Sequence, residues 1–283
     1  WYGDHRDLHL SIRRQRQMCI RDSSIAGINS EIVDLKILYV EIESTIYYNT
    51  SQIASAADLR SAVISGLTDY SKNVELNKFG GRFKYSKVST LIDRIDNGIT
   101  SNITKVIIRR DMKALLNQFA QYELCFGNRF NINPAGYNIK STGFTITSFN
   151  DTAYITDVPN KDGAGNLDGS NMGTLSVVTK NNRGEQRVIV KDAGVVDYKK
   201  GEVIVNTINI TSTVSQNNII EVQAFPESND VVGLKDLYLN FDVSKSTINT
   251  IKDVIASGED VSGVVFTRDY YTSSYSNGDL ERK

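Results

Sequence analysis

The chain has 283 residues, 40% hydrophobic and 23% charged, with a formal net charge of −1. That length allows two domains and no more than three small ones, and the composition is ordinary for a globular protein. The near-neutral charge gives no bulk case for nucleic acid or an anionic membrane; no window approaches the roughly 20 apolar residues of a membrane-spanning helix; and two cysteines, Cys19 and Cys125, make no disulfide framework.

Residues 1–23 differ from the rest. They hold five arginines (Arg6, Arg13, Arg14, Arg16, Arg21), both histidines (His5, His9), the only tryptophan, Trp1, and Cys19. No apolar core of a signal peptide is present in them. The run from Arg13 to Ser23 resembles translated sequencing-adapter DNA. The segment is therefore expected to be foreign to the natural protein, and the chain to be a fragment of a longer one. A disordered basic arm and an amphipathic presequence are the competing readings. Five arginines against Asp4, Asp7 and Asp22 give this stretch +2, which leaves −3 and no histidine for residues 24–283.

From Val33 to Asn49 the pattern alternates. Leu38, Val40, Ile42, Ile46 and Tyr48 face one way and Glu41, Glu43 and Thr45 the other, which predicts a half-buried strand. Ser55 opens a helix, with Asp58 favourable in its first turn and Leu59, Val63, Leu67 and Tyr70 as its inner stripe. The run Phe79-Gly80-Gly81-Arg82-Phe83-Lys84-Tyr85-Ser86-Lys87 predicts a tight turn and a short strand. Ser86 then caps a helix with Val88, Leu91, Ile92 and Ile95 inside, and residues 103–108 read as a strand. Residues 24–116 are thus predicted to form a small α+β domain, strand–helix–strand–helix–strand, with helices on one face of a small sheet.

Residues 117–261 predict a mainly antiparallel β domain. Candidate strands are 122–130, 143–149, 152–158, 173–179, 186–190, 202–213, 219–225 and 235–243. Asn182-Arg183-Gly184 and Lys199-Lys200-Gly201 are hairpin signals in which glycine supplies positive φ. A helix over 246–257, with Ile248, Ile251 and Ile255 as its stripe and Gly258 as its stop, is expected to close the domain against the strand at 234–241. Ile251→Asp is then expected to unfold that region. Residues 262–283, with Tyr270, Tyr271 and Tyr275 among small polar residues, read as a flexible tail or as an anchor on a neighbour.

No chemistry is predicted: no catalytic, cofactor-binding or metal-binding residue. Beyond residue 23 no histidine can serve as a base, and Cys125, between Leu124 and Phe126, reads as a buried structural thiol. Asp93 and Asp96 lie at i, i+3 on the polar side of the second helix and read as solvated. The loop with Asp162, Asn166, Asp168 and Gly169 falls short of a calcium loop, since Ala164 stands at a ligand position and no Glu closes it. Gly163-Ala164-Gly165 lacks the strand and helix of a dinucleotide fingerprint. Lys105, Arg109, Arg110 and Lys113 form one basic cluster whose side chains alternate faces, and they read as surface charges.

Three blocks carry a family resemblance. Phe79 through Ile108 resembles the C-terminal domain of the baseplate J-like family. Tyr122-Glu123-Leu124-Cys125-Phe126-Gly127-Asn128, then Gly136-Tyr137 and Ser141-Thr142-Gly143-Phe144, resembles the ring-forming baseplate wedge subunit of T-even-type and related contractile-tailed phages. Val196-Asp197-Tyr198-Lys199-Lys200-Gly201-Glu202 and the run from Pro226 to Tyr238 resemble the C-terminal half of that subunit. The resemblance implies a structural virion protein of the tail baseplate, made in the bacterial host cytoplasm. It implies contacts with copies of itself and with other wedge subunits, in a ring around the central hub that takes part in triggering sheath contraction. It implies no enzyme, no cofactor, no nucleic acid and no membrane insertion. The rival readings are a tail-fibre module that binds host glycan and, more remotely, a glycoside hydrolase using a carboxylate pair.

Overall fold

The computed structural model describes residues 35–72, 76–180 and 186–254. The readings for residues 1–23 and 262–283, the turn at Asn182–Gly184, and Ile255 and Gly258 lie outside the described residues.

The first elements follow their sequence patterns. Strand β1 is Ile37–Tyr48, with Leu38, Val40, Ile42 and Ile46 buried. Helix α1, Ala56–Ser71, is capped by Ser55, whose hydroxyl accepts from Asp58 N at 3.2 Å, and it buries Leu59, Val63 and Leu67. Strand β2 is Arg82–Phe83, and helix α2, Tyr85–Ile95, buries Val88 and Ile92. The cap of α2 differs from expectation. Lys84 holds the N-cap position, Ser86 lies inside the helix, and Tyr85 N donates to Asp230 Oδ1 at 2.8 Å. Strand β3, Ile99–Lys113, runs antiparallel to β1, with Tyr39 opposite Arg109. The two helices pack on each other, α2 also against β3.

The later elements are strands. They are β4 (Phe119–Cys125), β5 (Lys140–Ser141), β6 (Phe144–Ile146), β7 (Phe149–Pro159), β8 (Met172–Lys180), β9 (Gln186–Asp197) and β10 (Glu202–Thr213), followed by β11 (Ile219–Ala224), β12 (Val231–Val232), β13 (Tyr238–Phe241) and β14 (Thr247–Lys252). Strands β6 to β10 close into a five-stranded antiparallel barrel, in the order β7–β6–β10–β9–β8 with β8 returning to β7. Phe144, Ile155, Leu175, Val177, Val203, Val205 and Ile210 are among its buried residues. Closure leaves each of these strands paired on both sides and removes exposed edges. Strand β4 pairs outside this ring with β10, and β11 joins β3 to β5.

Two expectations fail here. The fold is mostly β, with two α-helices among the described residues, so it is not a balanced α+β arrangement. Residues 247–252 form β14 and not a closing helix. The Ile248/Ile251 spacing suits a helix, but Thr247, Ile248, Thr250 and Ile251 are all β-branched, and branched side chains favour strands. The outer edge of β1 supplies the partner: β13 pairs parallel with residues 37–40 and β14 parallel with residues 43–48. In the gap between them Ile42 N donates to Ser246 Oγ at 3.1 Å, a side chain standing in for a missing strand carbonyl. Ile251 is 46% exposed while Ile248 is buried, so Ile251→Asp is not the substitution that unfolds this region.

Candidate functional site

Blocks that carry the family resemblance meet in space. Gly80 N donates to Leu234 O at 3.1 Å, Gly233 N donates to Gly81 O at 2.7 Å, and the Phe79 ring meets Tyr238 edge-on at 5.5 Å. Asn128 holds residues 122–130 to β12, with Oδ1 accepting from Val232 N at 3.0 Å and Nδ2 donating to Val232 O at 2.9 Å. Phe126 N donates to Gly201 O at 2.8 Å, and Phe130 N to Tyr198 O at 2.9 Å. Gly201 has φ +70°, and an added Cβ would lie 2.0 Å from Asn128 O, so the turn needs both the left-handed backbone and the missing side chain.

Asp157 anchors the same junction from the barrel. It is fully buried, and it accepts from Tyr198 Oη and from Ile139 N, each at 2.6 Å. Burial pushes its carboxyl above the usual range, while those two hydrogen bonds pull it back. Burial and the neighbouring Asp157 push the Tyr198 phenol up. Both groups are spent on each other and on backbone, which suits a fastening.

A second polar cluster lies on the first sheet. Arg109 is 3% exposed, and its Nε sits 2.8 Å from Glu41 Oε1 and 3.6 Å from Asp111 Oδ1. Its Nη1 is 3.0 Å from Glu221 Oε1 and its Nη2 3.0 Å from Asp242 Oδ2. The guanidinium lies 4.2 Å from the Tyr39 ring centroid, and Lys245 Nζ reaches Glu221 at 3.1 Å. Four carboxylates from β1, β3, β11 and the β13–β14 bend thus share two cations. Burial pushes Glu41 up to about 7, against the pull of Arg109, and burial also raises Asp111. Arg109 fills the centre of the group, the space a sugar ring would need between hydrolytic carboxylates.

The surface-charge reading of the basic cluster is therefore corrected for two of its members. Lys105 and Lys113 are exposed, but Arg109 and Arg110 are buried on opposite sides of β3. Arg110 lies among the apolar side chains, its Nε and Nη1 without hydrogen-bond partners among the described residues, and burial lowers its pKa. The sequence signal for the Arg109 cluster was weak, an acidic residue on each of several strands, and nothing local pairs them.

The remaining predicted positions are dispersed. Asp93 accepts from Asn102 Nδ2 at 2.6 Å, tying α2 to β3, and Asp96 accepts from Gly98 N at 2.8 Å within the turn between them. Asp162 accepts from Ala164 N and Asn166 N, both at 2.9 Å, inside the β7–β8 loop. Asp168 accepts from Ser170, which lowers its pKa. Gly163 and Gly165 belong to that same exposed loop. Cys125 is half-buried at the end of β4, and burial raises its thiol. Among the described residues no group of three His, Cys, Asp or Glu side chains is arranged to hold a metal, and no helix is long and apolar enough to cross a membrane.

Depressions on the outer surface of the described residues include these. One, of 370 Å³, lies at the barrel between Phe119, which is 75% exposed, Ile146, Val190 and Ile208. Another runs along α1 and α2: a groove of 630 Å³ bordered by Gly66, Tyr70, Lys87, Leu91, Arg94 and Ile95, beside a 270 Å³ hollow that shares Tyr70 and Lys87.

Residues 36–111, which span β1, both helices and most of β3, match the family described as baseplate structural protein gp6, C-terminal domain III. The match supports a phage baseplate structural protein, and that family is structural, consistent with a non-enzyme. No curated protein matches the chain.

Proposed function

We propose that the chain is the C-terminal part of a baseplate wedge subunit from a contractile-tailed phage. In this reading it is a non-enzymatic assembly part. It associates with copies of itself and with other wedge subunits in a ring around the central hub, and takes part in the change of shape that triggers sheath contraction. Its place is the tail baseplate of the virion, after synthesis in the host cytoplasm. The family match of residues 36–111 carries the reading. The convergence of residues 79–87, 122–130, 196–202 and 226–238 on one junction supports it, because backbone hydrogen bonds and the Asn128 side chain tie these separated blocks into one structural unit. The same proposal treats residues 24–116 as the baseplate J-like part, 117–261 as the β-rich part, 1–23 as foreign and 262–283 as a tail.

Light scattering of the 283-residue chain over a range of concentrations, alone and with co-expressed wedge subunits, tests it. A discrete dimer, ring or mixed complex is the expected outcome. A strict monomer under both conditions would overturn the assembly role.

A further inference from the structure

The surface of the helix pair is unusual in its charge. The hollow beside the groove is lined by Lys78, Arg82, Lys84 and Lys87, and the groove adds Arg94. All five are exposed, and none makes an ion pair with another described residue. Among the described residues no carboxylate lines either depression. The acids nearby are engaged elsewhere: Asp230 accepts from Tyr85 N, Asp69 pairs with Lys72, and Asp93 accepts from Asn102. In a chain of net charge −1 this is a local concentration of cations without ion-pair partners among the described residues.

The floor of the groove is apolar. Lys87, Leu91 and Arg94 fall on one face of α2 by their spacing of four and three, with Ile95 beside them. The Gly66 side of α1 faces them closely, since a Cβ there would stand 3.0 Å from Ile95 Cδ1. Tyr70 meets Phe241 edge-on at 6.3 Å, so its ring is engaged with the core and is not free to stack on a base. Apolar floor and cationic rim together match a polypeptide with apolar residues flanked by acids. A phosphate backbone would satisfy only the rim.

We infer that the α1–α2 groove docks an acidic, apolar-ridged segment of a neighbouring protein, with Lys78, Arg82, Lys84, Lys87 and Arg94 meeting its carboxylates and Leu91 and Ile95 its apolar ridge. The inference rests on the baseplate reading only in taking that neighbour to be another baseplate subunit.

The test uses the full chain and a fluorescein-labelled synthetic helix carrying a leucine ridge flanked by Glu and Asp. The same helix with Gln and Asn in place of the acids, polyglutamate and oligo-dT serve as controls. Saturable binding of the acidic helix is expected, weakened about tenfold or more by combined Lys84→Glu, Lys87→Glu and Arg94→Glu. A comparable loss is expected for Leu91→Gln, which keeps the charge. An unchanged melting temperature shows that each variant is folded, and Lys→Gln forms of the same positions replace any that is not. Equal affinity of the charge-reversed variant overturns the inference, as does binding of oligo-dT or polyglutamate as tight as that of the acidic helix. Assembly into a wedge complex by a charge-reversed variant with unaltered affinity would sink the groove and leave the baseplate reading. Helix binding by a chain that never assembles would do the reverse.

Discussion

The first sheet and the barrel handle buried polarity in opposite ways. Around β1, β3 and β11 the structure buries one guanidinium among four carboxylates, gathered from segments far apart in the chain. The barrel holds one buried pair of comparable importance, Asp157 with Tyr198, beside the small buried hydroxyls of Thr156 and Ser176. The difference follows from topology. A closed barrel pairs its own strands and needs little else to fix its register. The first sheet is open, and its edge at β1 is covered by two short parallel strands joined at a bend. Asp242 lies in that bend and reaches Arg109. The ion cluster therefore ties the covering segment to the sheet, where backbone pairing is interrupted.

Removing Arg109 should show that difference most strongly. Arg109→Met is expected to cost about 3–5 kcal/mol in chemical denaturation, because four carboxylates lose their central cation. Arg110→Met at the next position should cost less than about 1 kcal/mol, since that guanidinium has already given up water without gaining hydrogen bonds at Nε and Nη1. Equal losses for the two variants would mean that buried volume matters here and the charge network does not.

In the barrel Tyr198→Phe should cost about 1–3 kcal/mol, because it strips a side-chain donor from a fully buried Asp157 carboxylate. Hydrogen exchange should then rise first at Ile139, whose amide shares that carboxylate. Uniform exchange across the molecule would deny the local fastening.

The mildest change sharpens the picture through pH. Glu41 is raised from 4.5 to about 7 in the folded protein, so between those values the folded state binds a proton that the unfolded state has released. Its contribution to stability is present below pH 4.5 and declines as pH rises toward about 7. Glu41→Gln should match the parent near pH 4.5 and lack that decline, read as melting temperature against pH. Parallel curves for parent and variant would show that Glu41 does not titrate in this window.

Much of the architecture was legible residue by residue. Period-2 alternation placed β1, turn signals bounded the candidate strand that became β10, the 3.6-residue stripe placed α1 and α2, and Gly201 marked its turn. These signals are local, set by backbone geometry and by which side of one element meets the core. The misreading of residues 247–252 has a different origin. Two isoleucines three apart satisfy either period, and the choice fell to the unpaired edge of β1, almost the length of the described chain away. The arginines were misread for the same reason. Lys105, Arg109, Arg110 and Lys113 look alike in sequence, and only the partners across β1, β11 and the β13–β14 bend separate a buried hub from a solvated lysine.

By itself, then, the sequence determined the first strand, both helices and the turn at Gly201, and it carried motif blocks that resemble a baseplate part. The tertiary structure decided that the chain's last described strand covers its first, that Arg109 and Arg110 have opposite surroundings, and that five surface cations gather along an apolar groove and the hollow beside it. Local patterns act through short-range sterics and burial, which neighbouring residues encode. Edge pairing, charge clustering and surface complementarity depend on which distant segments meet, and no window of sequence contains both partners.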